Sequence, residues 1–583
     1  VIRHLHVALV LILLTPVLSE ASVESLRGLP ASEITPGLRG YGLSCFNGTE
    51  PVRLDVEILG IMKNNPPGSF TILGKVAGDA VDRGGIMSGM SGSPVYIGER
   101  LIGAMAFAFP FAKEAICGIT PIQDMNALWT QPISSLPAVN APSVSRTLIG
   151  QPGKEFEQQA VRIGLPLFNQ GIDASVFSEL NPTAGLAETS ISLSSPAGGA
   201  ANLNAPLLPG CPVGVAFIDG DLKLAAMGTI TSIEEDRILA FGHSLFTAGD
   251  CRLPMISGEI VTFIPSVAQS FKIGNIGHVI GSIVRDLRPG VAGRIALEPD
   301  MIPMEIRYSD PHRGDRDYHV RVLREDRITG VYAAIAVGSV VSHLGPASGA
   351  IALDLGMTIS LEGHDPLHLR RLVGESDTPA ADIFRFMDLL TVLLTNPIES
   401  IRIRKLEVDV IVREDIRVIL LEHATMMSKS AEPGDSIGLK LDFKDYRRPI
   451  DSRFVSIDIP SDAIPGEYSV RVLDESGYRN WRVTREPDLY FQPGIDGFID
   501  MLTRSGNGDE LVILLCRKSR ALDQGRSTLP DLPPTLERTA ILSGQESSLR
   551  VQDHVVSQQI LRFPMQISGS ESIELRVSRS SKR

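Results

Sequence analysis

The sequence predicts a mainly β, multidomain chain, and three observations carry that reading. There are 54 Gly and 39 Pro but only 2 Trp, short Val/Ile/Leu runs sit between the Gly/Pro turns, and no long run of helical periodicity dominates. A length of 583 residues, at about 100–200 residues per domain, calls for three or four domains.

The formal charge of −13 argues against a nucleic-acid partner, because phosphate binding requires clustered Lys and Arg. Five cysteines, Cys45, Cys117, Cys211, Cys251 and Cys516, are odd in number and widely spaced. That spacing points to neither a zinc site nor a dense disulfide framework. No cofactor and no metal are expected.

Arg3, His4 and His6 precede an apolar run from Val7 to Leu14, and Ser19-Glu20-Ala21 supplies small residues for cleavage. Residues 1–21 therefore read as a signal peptide, its apolar run short of the roughly 20 residues that span a bilayer. Val1 in place of Met fits a bacterial valine start codon. The mature chain is expected in the periplasm or secreted, with no stable membrane span.

Residues 22–130 alternate strands and turns in the manner of a small barrel, with strands at 52–59 and 70–73, a turn at 64–68, and a hairpin of 95–97 and 100–107 around Gly98-Glu99. Residues 131–206, rich in Ser, Ala, Asn and Pro, read as a connector. The span 207–370 returns to strands at 213–218, 227–231 and 238–243, and reads as a second barrel. Thr378-Pro379 starts an apolar helix that stops before Pro397, so 371–398 is a linker helix. Clean alternation at 406–412, 454–459 and 468–473 predicts an immunoglobulin-like β-sandwich over 399–485. Residues 486–583 form a further β-rich tail.

Chemistry concentrates in Gly89-Met90-Ser91-Gly92-Ser93-Pro94. A serine hydroxyl becomes a nucleophile when a base takes its proton and backbone N–H groups stabilise the oxyanion. Glycines at 89 and 92 let the chain bend so that the N–H groups of Gly89 and Ser91 converge, forming an oxyanion hole of the trypsin-like kind. His243, at the end of a predicted strand beside Gly242, is the candidate base, with His278 as the alternative.

The two segments together resemble the SpoIVB peptidase family, serine endopeptidases named for a sporulation signalling protease. Gly84-Gly85-Ile86 with the Ser91 motif and Gly103-Ala104 is similar to that family's nucleophile region, and Gly228-Thr229-Ile230-Thr231 with Gly242-His243 to its histidine region. The resemblance covers roughly 36–130 and 207–310. It implies a chymotrypsin-like double β-barrel, here with its halves in swapped, serine-first order. It also implies an acid shortly before the serine, for which Asp79 is the first choice and Asp82 and Asp250 are the alternatives. By the same analogy, the strand at 104–109 would pair with an extended peptide or protein substrate. Met90 cannot pair with a new N-terminal ammonium, so activation through such an ion pair is not expected.

Two functions compete on this reading. One is a secreted serine endopeptidase, with self-cleavage in the connector as a corollary; the other is a catalytically silent envelope module that binds other proteins through its barrel and β-sandwich.

Overall fold

The computed structural model describes residues 29–63, 70–130, 160–180, 205–344, 351–376, 379–413, 418–445, 448–485, 494–503, 508–523, 528–542 and 549–579. The expected signal peptide, the turn at 64–68 and Thr378 lie outside the described residues. The chain is mainly β. It falls into two units, one within Val1–Gln170, Glu188–Ala216 and Leu224–Asp300, the other within Gly171–Ala187, Phe217–Lys223 and Met301–Arg583. The span 207–370 is thus divided between them.

In the first unit, two-residue periodicity makes strands with one buried face. Along β2 (Val52–Lys63), Leu54, Val56 and Ile58 point inward while Arg53 and Asp55 face solvent. β2 pairs antiparallel with β1 (Arg39–Ser44) and β3 (Phe70–Ala77). β4 (Pro94–Ile97), β5 (Arg100–Ala108) and β6 (Ile116–Pro121) complete the sheet. The order β1-β2-β3-β6-β5-β4, with β4 pairing back to β1, closes a six-stranded barrel. Its interior holds Val56, Ile58, Ile72, Met90, Val95 and Met105.

A second circuit of pairings follows. It comprises β9 (Pro212–Gly220), β10 (Lys223–Glu234), β11 (Arg237–Ala240), β12 (Gly249–Ile264), β13 (Phe271–Leu287) and β14 (Gly290–Ile295). The order β9-β12-β13-β14-β11-β10 returns to β9. Counted from its own first strand, each circuit has the same order, 1-2-3-6-5-4. The expected connector is not featureless, because it contains β7 (Val161–Arg162) on the edge of β5 and β8 (Leu167–Gln170) beside β10.

In the second unit, Met301–Asp310 pairs antiparallel with Gly314–Leu323 and parallel with Ile403–Arg413, which in turn pairs with Ile351–Leu361. The alternating stretch at 406–412, expected in a sandwich, therefore belongs to this sheet. The helix Thr329–Leu344 is apolar nearly all round and buried. It packs so closely on Pro379–Leu394 that a Cβ on Gly330 would lie 2.9 Å from the Met387 carbonyl.

Two further sheets, one around Val418–Met426 and Ser436–Asp445 and the other around Gly466–Asp474 and Glu510–Asp523, bury a common apolar cluster that includes Leu439, Leu441, Val470, Leu511 and Ile513. The tail beyond 486 is part of that core.

Gly92 is one of the tight points of the first unit. Its φ is 95°, and a Cβ there would lie 2.1 Å from the Thr229 carbonyl oxygen. Gly92→Ala is expected to destabilise this unit by about 3 kcal/mol or more, read as a lower urea midpoint; an unchanged midpoint would contradict the close approach.

Candidate active site

Ser91 sits in the loop between the short helix Asp79–Gly84 and β4, and the second circuit of strands fixes that loop. Thr229 N–H donates to the Ser91 carbonyl at 2.8 Å. The Thr229 hydroxyl donates to the Gly89 carbonyl at 2.9 Å and the Thr231 hydroxyl to the Gly92 carbonyl at 2.8 Å. Three carbonyls of the nucleophile turn are thereby bound by one strand, β10.

His243 follows β11 through a backbone corner in which Phe241 and Gly242 both have positive φ, 69° and 70°. A positive φ is costly for a bulky residue and is held only where the surroundings over-determine it. Here the Phe241 N–H donates to Thr229, the Gly242 carbonyl accepts from the Thr120 hydroxyl at 2.6 Å, and Phe241 is fully buried.

The corner brings His243 Nε2 to 2.6 Å from Ser91 Oγ, across 152 residues of sequence. His243 Nδ1 lies 2.9 Å from the Ser244 carbonyl. A neutral ring carries one N–H: protonated at Nδ1, it donates to the Ser244 carbonyl and leaves Nε2 as the acceptor facing the hydroxyl, whereas protonated at Nε2 it faces the Ile163 carbonyl at 3.0 Å; the base role requires the first tautomer. Burial pushes the His243 pKa down to about 4, so the ring is neutral and free to accept a proton at neutral pH, though a weaker base than an ordinary histidine. The Ser91 hydroxyl has a second acceptor at 2.6 Å, the Phe241 carbonyl. One proton thus has two acceptors, and nucleophilic attack requires that it go to His243.

The acid expected from the family resemblance is not in place. Asp79 opens the helix Asp79–Gly84, its side chain is 88% exposed, and it pairs with Arg83 at 2.9 Å. Asp82 accepts from the Gly78 N–H at 3.3 Å, and Asp250 pairs with Arg285 at 3.3 Å. His278 lies on β13, its ring 3.4 Å from the Ser257 hydroxyl. Among the described residues, the polar contacts of the His243 ring are Ser91, the Ser244 carbonyl and the Ile163 carbonyl at 3.0 Å. A backbone carbonyl therefore occupies the position expected for a carboxylate. Of the two expected oxyanion donors, Gly89 N–H is 2.9 Å from the Gly164 carbonyl.

Two charged residues that sequence reasoning did not single out support the site from behind. Asp286, fully buried, accepts from the N–H groups of Leu245 at 2.7 Å, Phe246 at 2.6 Å and Ala248 at 3.2 Å. It thereby fixes the loop that carries the Ser244 carbonyl. Burial pushes its pKa up while these N–H groups pull it down. Lys272, 1% exposed, donates to the Gly89 carbonyl at 3.1 Å and the Ser44 hydroxyl at 2.9 Å. Burial lowers its pKa to about 8. In sequence, Lys272 is a single charge within an apolar run, a weak signal of a buried, partnered role, whereas Asp286 stands beside Arg285 and gives no such signal.

No protein-family model, no curated protein and no solved structure matches the chain.

Two outcomes follow from these contacts. The unfolded state binds a proton on His243 below its ordinary pKa of 6.5, whereas the folded state binds it only below about 4. Folding stability from this group is complete above pH 6.5 and is lost as pH falls toward 4, on the order of 3 kcal/mol in all. Comparing the pH dependence of urea unfolding in the wild type and in His243→Gln isolates this contribution, and parallel curves would contradict it. Asp286→Ala, which strands several buried N–H groups, is expected to cost about 3 kcal/mol or more; thermal unfolding checks it, and a midpoint unchanged from wild type would contradict the role.

Proposed function

We propose that this chain is a serine endopeptidase that hydrolyses peptide bonds through a Ser91 acyl-enzyme with His243 as general base. The observation that carries this reading is the 2.6 Å approach of His243 Nε2 to Ser91 Oγ, with Nδ1 2.9 Å from the Ser244 carbonyl. His243 takes the hydroxyl proton as Oγ attacks the substrate carbonyl. The N–H groups of Gly89 and Ser91 stabilise the oxyanion, and His243 returns the proton to the departing amine. Water, activated by the same histidine, then hydrolyses the ester.

The common 1-2-3-6-5-4 order of the two strand circuits supports a chymotrypsin-like double barrel with its halves in swapped order, and with it the SpoIVB-type assignment. The shared core of the C-terminal sheets supports a sandwich of immunoglobulin-like kind as a docking module for envelope proteins. On this reading the enzyme is bacterial and extracytoplasmic, acts on protein or peptide substrates, and needs no cofactor.

One observation favours a catalytically silent binding module instead: the Gly89 N–H already donates to an internal carbonyl, that of Gly164. A fluorophosphonate probe separates the two, because it reacts only with an activated serine. Prolonged incubation is expected to label the wild type at Ser91, to leave Ser91→Ala unlabelled, and to be slowed about a thousandfold or more in His243→Ala. Equal labelling of wild type and Ser91→Ala would reject the enzyme reading.

A further inference from the structure

The peptidase reading requires three features of a bound substrate, and one short run of this chain already supplies all three. A substrate strand must pair with the edge of β5, present a carbonyl to the oxyanion donors, and pass the histidine. β7 pairs antiparallel with β5, Phe107 opposite Arg162 and Ala108 opposite Val161. The Ile163 N–H continues that ladder by donating to the Ala106 carbonyl at 2.8 Å. The Ile163 carbonyl lies 3.0 Å from His243 Nε2, and the Gly164 carbonyl accepts from Gly89 N–H at 2.9 Å. Beyond it, the Pro166 carbonyl is held by Met227 N–H at 3.0 Å.

Burial rises along the run, from the exposed Val161 and Arg162 to the buried Ile163, Gly164 and Leu165. Ile163 is 2% exposed and joins the cluster that contains Met90 and Met105, whereas Arg162 faces solvent. The named ladder is only two residues long, Val161–Arg162, and a pairing so short has little stability of its own. What keeps it in place is that its ends are covalently part of the chain, which makes the contact intramolecular and raises its effective concentration.

We propose that residues 161–165 are a built-in substrate mimic that blocks the peptidase site. The inference rests on the peptidase reading and names its substrate class. Peptides admitted once the strand is displaced are extended segments with an aliphatic residue at the place of Ile163 and a small residue after it. Arg162 at the outward position leaves the preceding residue unrestricted.

The test uses the full chain and the rate of fluorophosphonate labelling at Ser91. Ile163→Pro removes the N–H that bonds Ala106 and is expected to label at least about tenfold faster than wild type, as loss of an intramolecular competitor predicts. A synthetic peptide spanning residues 160–166 is expected to slow the variant again. If Ile163→Pro melts below the assay temperature, Ile163→Ala carries the test, since it keeps the backbone bond and removes only the buried anchor. Equal, Ser91-dependent labelling of wild type and variant overturns the blocking strand and leaves the peptidase reading intact. Absence of labelling in folded wild type and folded variant overturns the peptidase reading itself. An intact mass showing the chain cut between Ala160 and Pro166 would make the segment a substrate, not a blocker, and overturns the proposal.

Discussion

The close approach of the nucleophile turn to β10 is the constraint on which the rest of the site depends. Thr229 and Thr231 bind the carbonyls of Gly89, Ser91 and Gly92. The same strand holds Phe241, whose corner aims His243. Serine and histidine are therefore not positioned independently. One hydrogen-bonded strand sets both, and the absence of a Cβ at Gly92 is what lets the two backbones meet. Buried side-chain hydrogen bonds of this kind are worth about 1 kcal/mol each, so their larger effect is to fix geometry.

The electrostatics depart from a triad. A carboxylate would stabilise a protonated ring, but here a backbone carbonyl does so, and a carbonyl does it less well because it carries no net charge. Burial then dominates and holds His243 in its neutral form. The carboxyl group in the neighbourhood, that of Asp286, acts on the Leu245 to Ala248 loop and not on the ring. The arrangement gives a base that is always available at neutral pH but gains little from a counter-charge when it accepts the proton.

Much of this was legible in the sequence because it depends on local rules. Short apolar runs marked β2 and the first three strands of the second circuit, Pro379 marked the start of a helix, and the glycines around Ser91 and before His243 marked positions where the chain must turn or pack tightly. Non-local placement was not legible. Strand alternation at 406–412 says that one face is buried but not which sheet buries it, and the structure pairs that strand in parallel with Met301–Asp310. Asp79 had suitable sequence spacing, yet it opens a solvent-facing helix where Arg83, one turn on, takes its charge. The role of Ser244 belongs to its main chain, which carries no residue-specific signature. β7 lay unrecognised because a two-residue strand in a Ser- and Pro-rich stretch has too few positions to show a period.

The central claim is that His243 is a neutral base whose tautomer is fixed by the Ser244 carbonyl. Nitrogen-15 NMR of the imidazole at pH 7, with His243→Gln providing the assignment, tests it most directly. The account requires a neutral ring protonated at Nδ1, with Nε2 bearing the lone pair that faces Ser91. A ring protonated at Nε2 alone, or one charged at pH 7, would contradict it.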